Sequence, residues 1–452
     1  MDATGSQVRW DAAATAVLAI GLGELLASRR QRSLVDPVGR VVVDTVPLPV
    51  VEATIRFLGT SDKPLLRAVI VTSAAAAVEP VAATVRREPA GSVGWSVVAA
   101  TAGLGAYLAG RRRLTADLER RDASTPTIPV PDPLPAGSDG AEDWDGTAAL
   151  FTPVEEFYVT DVNLRPVAVD VTDWRLDVRG PGGTGGPLSH DDLLALEVRE
   201  RDAILICVHQ RLGWDRLGNQ RWAGVPVADV LTAAGVDVPD DPGAWDLAMT
   251  AVDGYSQVLP LDRALSDDAW VVLGVGGRAL PAAHGFPARV MTPGVVGQYN
   301  GVKWLHGLEI TPRGTRTATW VSRGWPRETV VPPPMARIDH PGEVRMPPKL
   351  PRRPEVVPLD PWIVGTAWAP AHGGVERVDV RVDDGPWQPA ELAGSLGAAS
   401  WRHWRHRVQL TPGRHDVAAR CVAADGTVQD PVPTPPFPDG TTGHHTVSAR
   451  AR

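Results

Sequence analysis

The stretch from Ile204 to Val230 constrains the fold most, because three kinds of structure follow one another within it. An apolar strand pattern, ILIC, ends on Cys207, and a polar loop punctuated by glycine comes next. A helix pattern then begins near Pro226 and ends at Gly235. The middle of the chain also mixes short strands and short helices, without the regular strand–helix–strand order of a parallel sheet. We therefore predict an α+β fold.

Composition narrows the class of protein. The chain has 452 residues, enough for two or three domains with separate cores. Its net charge of −8 argues against nucleic acid as a partner. Two cysteines cannot build a disulfide framework, and the sequence has no CxxCH haem-attachment motif, so no haem is predicted. The 45 glycines and 43 prolines separate short β-branched runs, which indicates a chain rich in strands and loops.

Residues 1–113 differ from the rest of the chain, because apolar stretches and basic clusters alternate in them. The four apolar stretches are Ala12–Ala27, Val41–Leu58, Leu65–Val85 and Ser92–Ala109. A bilayer span takes about 20 apolar residues, and these stretches are near or below that length and carry charges. Two interpretations follow, a helical membrane anchor and a soluble alanine-rich helical bundle.

The basic clusters bear on which side of a membrane the main body would face. Arg86 and Arg87 precede the last apolar stretch and resemble a twin-arginine export signal, which predicts an extracytoplasmic main body. Arg111–Arg113 follow that stretch, and basic residues prefer the cytoplasmic side, which predicts the opposite. The cytoplasmic side therefore stays open as an alternative.

Changes of pattern divide the remainder of the chain. A linker rich in Pro, Gly and Asp is predicted at 114–146, and a mixed α+β domain at 147–312. A Pro- and Arg-rich segment at 313–355 crosses to 356–452, where strand patterns are joined by DDG, TPG and ADG turns. Those strands predict an immunoglobulin-like β-sandwich. Cys421 lies in one of them and is interpreted as a buried core thiol.

Cys207 stands at the end of a predicted buried strand and faces a loop rich in His, Gln and Arg. A thiolate in such a place suits a soft metal ion or acts as a nucleophile. A buried cysteine is also a common small core residue. The residues alone leave these alternatives open.

Two motifs resemble those of the sulfite oxidase family. The first is the strand-end Cys207 followed by RWAGVPVADV at 221–230. The second runs from Gly277 to Thr311 and contains LPAAHGFPAR, TPG and VKWL at the family's spacing. Taken alone, HGFPAR would also fit a turn with a surface arginine in a salt bridge. The segment VVVDTVPLPVVEATIRFLG resembles the membrane region of actinobacterial-type members of the family, which favours the membrane anchor.

The resemblance implies a sulfite-oxidase-type molybdopterin-binding domain followed by a dimerisation domain. Members of the family hold molybdenum through the dithiolene of a pterin and through one protein thiolate, which Cys207 matches. The pterin carries a phosphate, for which arginine and lysine are suited. Contacts to this cofactor are implied for Tyr158, Thr250, His284, Arg289, Gly301, Val302 and Lys303.

Three further residues are implied at the substrate end. Tyr255 matches a tyrosine that faces the metal and can donate to an oxyanion, and a half-buried strand tyrosine is the alternative. The family sequence C-A-G-N-R-R is C-V-H-Q-R-L here, so Arg211 would replace one arginine, and His209 would serve as an acid, a base or an anion donor. Solvated loop residues are the alternative for both. The resemblance therefore implies a small oxyanion or polar oxo substrate without specifying sulfite.

The expected function is that of a molybdopterin-dependent oxidoreductase that transfers an oxygen atom in a two-electron reaction. Because no haem domain is evident, the electrons would pass to or from a separate carrier. The family also implies a homodimer. The alternative is a cofactor-free binding or scaffold protein that keeps the fold.

Overall fold

The computed structural model describes residues 18–20, 22–26, 93–123, 126–160, 163, 165–266, 268–327, 330–344 and 353–452. The chain divides into two compact units. One unit comprises residues 1–125 and 161–168, and the other comprises 126–160 and 169–452. The second unit holds every strand described below and is called the main unit.

The first unit contains helix α1, Val93–Ala123. This helix continues through the beginning of the predicted linker, so the prediction of a linker from residue 114 is wrong up to Ala123. The reason is local, because RRRLTADLERR contains good helix formers and the next proline is Pro126. Within the helix, Thr115 Oγ1 donates to the carbonyl of Arg111 at 3.0 Å, and Arg120 pairs with Asp117.

The predicted membrane stretches coincide only in part with described helices. Among the residues that the structure describes, no helix combines the length and the apolar character that a membrane crossing requires. Helix α1 covers the predicted stretch Ser92–Ala109 except its first residue. The stretches Val41–Leu58 and Leu65–Val85 and the pair Arg86–Arg87 lie outside the described residues, as does half of Ala12–Ala27.

From Pro126 onward, the predicted linker packs as part of the main unit. Ile128 is buried in the largest core cluster, and its N–H donates to the Gly277 carbonyl at 3.4 Å. Asp139 is also buried, and its Oδ2 lies 2.7 Å from His403 Nδ1. The segment at 126–146 is therefore a strap held to the main unit rather than a spacer.

Two five-stranded sheets build the first half of the main unit. The first sheet has the strand order β2-β1-β10-β5-β6, and all its pairs are antiparallel except β1 with β10. Its strands are β1 Leu176–Arg179, β2 Pro187–Leu188, β5 Trp245–Ala251, β6 Ser256–Pro260 and β10 Leu305–Pro312. The second sheet has the order β3-β4-β7-β8, and β9 pairs with β7. Its strands are β3 Arg199–Ile206, β4 Leu217–Pro226, β7 Trp270–Val275, β8 Arg278–Ala279 and β9 Arg289–Met291.

Four short helices lie between these strands: α2 His190–Leu194, α3 Val227–Ala233, α4 Leu261–Ala264 and α5 Gly297–Asn300. The Ser189 side chain begins α2 by accepting from Asp192 N–H, and Asp192 accepts in return from Ser189 N–H, which is a capping box. Side chains of both sheets and of α3 form the largest core cluster, which includes Val178, Val225 and Leu247. The mixture of helix and sheet is the α+β arrangement that the sequence predicts.

Two further sheets build the second half of the main unit. The third sheet contains β11 Met335–His340, β14 Trp362–Trp368, β18 Arg402–Arg407 and β17 Glu391–Leu392, in that order. The fourth contains β12 Glu343–Val344, β13 Arg353–Val357, β20 His445–Ala451, β19 Gly413–Ala423, β15 Val375–Val382 and β16 Gln388–Pro389. The two sheets share one buried core, which contains Cys421.

The sequence places the start of this strand region at residue 356, and that boundary is too late. Strands β11 and β12 already belong to the third and fourth sheets. Both are end strands of their sheets, where proline is tolerated because one side of the strand needs no partner. Prolines around residues 332–348 therefore hide strands that a pattern search takes for a crossing loop.

The two halves of the main unit meet in a small apolar cluster. It joins Ile204 and Leu217 of the second sheet to Trp368 and Trp401 of the second half. The Ile204 N–H donates to the Ala399 carbonyl at 2.8 Å. Strand β3, which leads to Cys207, is therefore buried against both halves.

Candidate functional site

Strand β3 delivers Cys207 to a buried position at its end. The thiol is 5% exposed, and the Cys207 N–H donates to the Arg216 carbonyl at 2.9 Å, which closes the loop between β3 and β4. The Sγ atom lies 3.9 Å from the Thr160 hydroxyl. Helix α5 approaches from another side, because a Cβ atom on Gly297 would stand 3.5 Å from the Cys207 Cα.

The surroundings of the thiol favour its ionised form. Burial raises the pKa of Cys207, but a hydrogen bond from His209, its positive charge and the charge of Arg216 outweigh burial, so the pKa is lowered. Cys421 behaves in the opposite way, since burial in the apolar core raises its pKa to about 12. The two cysteines therefore differ in chemistry, and the sequence interpretation of Cys421 as a core thiol agrees with its burial.

Two tyrosines predicted at the site lie close to the thiol's surroundings. A Cβ on Gly297 would stand 3.2 Å from the Tyr158 hydroxyl, so Tyr158, Gly297 and Cys207 are neighbours. The Tyr255 hydroxyl donates to the Gln298 carbonyl at 3.3 Å, and Gln257 donates to the same carbonyl. Burial raises the pKa of both tyrosines, which keeps their hydroxyl groups protonated. Both can therefore act as hydrogen-bond donors.

The HGFPAR motif forms a buried cationic cluster, so the interpretation as a surface turn with an exposed arginine is wrong. Arg289 is 7% exposed, stacks over Trp222 at 5.5 Å and donates to the His284 carbonyl at 3.3 Å. Within the described part of the chain, its Nε finds no hydrogen-bond partner, and no carboxylate pairs with it. Burial lowers the pKa of Arg289 to about 10, so it stays charged at neutral pH. A buried, uncompensated guanidinium is a strong attractant for an anion.

His284 is held neutral beside this arginine. Its Nε2 lies 3.1 Å from the Val154 carbonyl, and its ring meets Phe157 edge-on at 5.7 Å. Burial, and then the charges of Arg289 and Lys303, lower the pKa of His284 to about 4. The imidazole therefore serves as a neutral hydrogen-bonding group at physiological pH.

The turn at Gly301-Val302-Lys303 is brought against the same cluster. A Cβ on Gly285 would stand 3.1 Å from the Lys303 Cα and 3.2 Å from the Arg289 Cβ, so the two motifs are in direct contact. Lys303 Nζ donates to the Ala283 carbonyl at 3.0 Å. Gly301 has a φ of 156°, and its Cα presses on the Val290 carbonyl, where a side chain would not fit. Val302 is a core residue whose carbonyl accepts from Val290 at 3.0 Å.

The loop after Cys207 contains the remaining predicted residues. His209 is 5% exposed and meets the Trp325 ring edge-on at 5.6 Å, so the interpretation as a solvated loop residue is wrong for it. Arg211 is half-buried and stacks over Trp214 at 5.3 Å. Thr250 is exposed on β5 opposite Gly307. Its predicted role as a cofactor contact stays a prediction.

Several residues at the site are absent from the sequence prediction. Arg216, Gly297 and Thr160 surround Cys207, although Gly297 is far from it in the chain. Trp325 packs against His209. Only Arg216 carried a signal, because it is a basic residue in the same polar loop. The others are recognisable only from the packing of distant segments.

The same loop is covered by the end of the chain. The His445 ring of β20 lies against Gly213, where any side chain would strike it. A Cβ on Gly443 would stand 3.1 Å from the Leu212 side chain. Arg337 NH1 donates to the Trp214 carbonyl at 3.4 Å. The loop that follows Cys207 is therefore held by the second half of the main unit.

Two kinds of donor group are present among the residues predicted for the site. Cys207 offers a soft thiolate, and Arg289 offers a buried guanidinium with an unused donor among the described residues. Glycine at 285 and 297 lets backbone approach both groups closely. This combination suits a metal whose organic ligand carries negative charge.

Comparisons with known proteins agree with this donor set. A family model described as the oxidoreductase molybdopterin binding domain matches residues 163–320. The crystal structure of the sulfane dehydrogenase SoxCD from Paracoccus pantotrophus has a similar fold, with a TM-score of 0.54 and 22% identity. That likeness covers 67% of this chain and 83% of the other.

Two curated relatives are similar in sequence. Mitochondrial sulfite oxidase of Mus musculus is 31% identical over 318 residues, which cover 62% of this chain and 57% of the mouse protein. The chain thus spans a little more than half the length of that relative. Sulfite oxidase of Gallus gallus is 30% identical over 321 residues, which cover 62% of this chain and 68% of the chicken protein. The donor set and these similarities together show that the chain belongs to the sulfite oxidase family of molybdopterin-binding oxidoreductases.

Proposed function

We propose that the protein is a molybdenum-dependent oxidoreductase that moves one oxygen atom to or from a small oxyanion or oxide. The observation that carries the proposal is the buried Cys207 thiol, whose pKa is lowered beside His209. In the oxidising direction the substrate gains an oxygen atom from water and releases two electrons and two protons. The electrons would leave to a separate carrier.

We assign the cofactor to the residues between Cys207 and Lys303. When bound, a molybdenum–pterin group supplies the two-electron redox chemistry. Cys207 would ligate the metal, and Arg289, His284 and Lys303 would hold the phosphate-bearing end. The unused Nε of Arg289 in the described structure supports this assignment. Gly301 and Val302 shape the turn that carries Lys303.

We assign the substrate to the side of Cys207 that faces the loop residues. Tyr255 has a protonated hydroxyl and would donate to a substrate oxygen in place of the Gln298 carbonyl. His209 lies within hydrogen-bonding reach of the thiol, and Arg216 and Arg211 bring positive charge to the loop. A negatively charged, oxygen-rich substrate is favoured by these groups.

The decisive experiment is metal analysis of protein made in a host that produces the cofactor. We expect about one molybdenum per wild-type chain and a loss of nearly all of it in Cys207→Ser, because a hydroxyl is a poor soft donor. Cys421→Ser is the matched control and should keep its molybdenum. Folding of each variant is checked by circular dichroism.

A cofactor-free scaffold is the competing function, and the same measurement separates the two. Folded wild-type protein without molybdenum, or equal metal content in Cys207→Ser and wild type, would reject our proposal. If molybdenum is present and depends on Cys207, activity is tested with sulfite and other small oxyanions against an artificial electron acceptor.

We also propose a membrane-anchored location with an extracytoplasmic main unit. The apolar stretches at 41–58 and 65–85 and the pair Arg86–Arg87 support it through their sequence alone. Protease added to intact spheroplasts should digest the main unit, whereas a cytoplasmic main unit would be protected. Recovery of the full chain in a membrane-free fraction would contradict the anchor.

We propose that the third and fourth sheets form an immunoglobulin-like module that pairs two copies of the chain. Their shared core and their mainly antiparallel strands support the module. Light scattering of purified protein should give twice the monomer mass. A monomer at micromolar concentration would reject the dimer.

A further inference from the structure

A pocket on the first sheet lies outside the residues assigned to the cofactor. Its charged and polar wall comprises Asp246, Gln257, Arg313, Arg316, Thr317 and Arg327, and the recess covers about 510 Å³, which includes open solvent. Residues 313–327 read RGTRTATWVSRGWPR, with four arginines and no acidic residue. This segment is basic in a chain whose net charge is −8.

The charges of the pocket are not balanced. Arg313 Nε lies 4.0 Å from Asp246 Oδ1, and Arg316 NH2 lies 2.6 Å from Glu309 Oε2. Arg327 differs, because its NH2 donates to the Arg316 carbonyl at 3.0 Å and no carboxylate of the described residues pairs with it. Among the described residues, three guanidinium groups therefore have two carboxylate partners, which leaves one positive charge in excess.

The pocket is connected to the surroundings of Cys207 through one side chain. Gln257 is 2% exposed, lines the pocket and donates to the Gln298 carbonyl. Gln298 follows Gly297, whose Cα approaches Cys207. Gln257 in the wall of the pocket therefore contacts the helix segment at Gly297 and Gln298 that lies beside Cys207.

We propose that this pocket binds a small inorganic oxyanion of the sulfate class, held by Arg316 and Arg327 with the Thr317 hydroxyl. A guanidinium group presents parallel donors that match two oxygens of such an anion. The groups line a recess, which suits a small ion better than the flat surface of a protein partner. Binding here does not require the cofactor, so the claim stands apart from the proposed oxidoreductase activity.

The test is calorimetric titration of inorganic sulfate into the full-length, cofactor-free protein at low ionic strength, where screening is weak. We expect saturable binding to wild type. Arg327→Gln and Arg316→Gln should each raise the Kd about tenfold, because each removes hydrogen bonds to a charged group. Arg327→Lys keeps the positive charge but loses the paired guanidinium donors. Its Kd for sulfate should lie between those of wild type and Arg327→Gln.

Arg407→Gln is the matched control. Arg407 is 54% exposed and pairs with Asp360 at 2.6 Å, much as Arg316 is 56% exposed and pairs with Glu309 at 2.6 Å. It lies on β18, and its loss should leave the sulfate Kd unchanged. Absence of saturable binding to wild type, or equal affinity in Arg327→Gln and Arg407→Gln, would overturn the proposal. Cys207→Ser should bind sulfate like wild type, which separates this result from the molybdenum measurement.

Discussion

Single residues at the site show how burial sets protonation. His284 is neutral in the folded protein because burial and two nearby cations lower its pKa to about 4, whereas in the unfolded chain it takes up a proton near pH 6.5. Between these values the unfolded state binds more protons than the folded state, so stability falls as the pH falls from 6.5 to 4.

The pH dependence of unfolding should reveal this group. Between pH 7 and pH 5 we expect the wild-type protein to lose about 2 kcal/mol more free energy of unfolding than His284→Gln, as linkage requires for such a pKa difference. Urea unfolding of cofactor-free protein at both pH values measures it. Equal losses in the two proteins would show that His284 is not buried as a neutral ring.

Arg289 predicts a conflict between stability and function at one side chain. Burying its charge without a carboxylate is costly, so Arg289→Met should stabilise the cofactor-free chain by about 1–2 kcal/mol. The same change should lower the molybdenum content in a cofactor-producing host. Urea unfolding and metal analysis measure the two effects, and Arg289→Lys, which keeps the charge, should retain more metal. A destabilised Arg289→Met would mean that the contacts with Trp222 and His284 outweigh the cost of burial.

The sequence predicts which residues belong to the site better than it predicts how they are buried. Cys207, His284 and Arg289 were reachable because each stands in a motif of fixed local spacing. Their burial could not be predicted, because HGFPAR alone fits an exposed turn as well as a buried cluster. Gly297 and Thr160 approach Cys207 only after distant segments pack, and local pattern contains no information on such contacts.

At the scale of elements, one ion pair joins two strands and the strap at 126–146. Arg221 of β4 donates from Nε and NH2 to the two oxygens of Asp202 on β3, each at 2.8 Å. Its NH1 donates to the carbonyls of Leu134 and Pro135 at 3.1 and 2.7 Å. The Asp202 side chain is 5% exposed, so it depends on this partner.

Loss of one member of the Arg221–Asp202 pair should therefore lower the free energy of unfolding more than loss of both members. We expect Arg221→Met to lower the free energy of unfolding by about 3–5 kcal/mol, because it leaves a buried carboxylate without a cation. Arg221→Met combined with Asp202→Leu should recover part of that loss. Urea unfolding of the single and double variants measures the difference. If the double variant loses as much free energy of unfolding as the two single variants lose together, the two residues do not interact.

The elements were predicted best where the local signal is strong. Ser189 and Asp192 are a strong local signal for a helix start, and α2 begins there. The pair Gly276–Gly277 is a strong turn signal, and the chain turns there between β7 and β8. Helix α1 ends at Ala123, beyond the predicted start of the linker at 114. The change of composition after Arg113 resembles the start of a linker, although the helix continues. Strands β11 and β12 were missed, because prolines at the edges of sheets read as loop.

At the scale of the whole molecule, the two halves of the main unit should unfold together. Trp401 is 4% exposed in the cluster between them, and its Nε1 donates to the Leu150 carbonyl at 3.0 Å. Ser400 donates to Asn219 of β4 at 2.9 Å. Trp401→Ala should therefore lower the free energy of unfolding by about 3–5 kcal/mol and weaken both halves.

Hydrogen exchange measures this coupling. We expect amides of β3 and β4 and amides of β14 and β18 to exchange faster by a similar factor in Trp401→Ala. Trp404→Ala is the matched control, since Trp404 is fully buried three residues away but belongs to the core of the third and fourth sheets. It should affect β14 and β18 more than β3 and β4. Faster exchange confined to β18 in Trp401→Ala would argue for independent halves.

The contact between the Cys207 loop and β20 also bears on how the protein matures. Leu212 and Gly213 rest on residues at 443–445, more than two hundred positions downstream. A nascent chain cannot fix this loop until the ribosome has translated that distant segment. The contacts that support this loop can accordingly form only after residues 443–445 have been made, and a chain that stopped before them would leave Leu212 and Gly213 without that support.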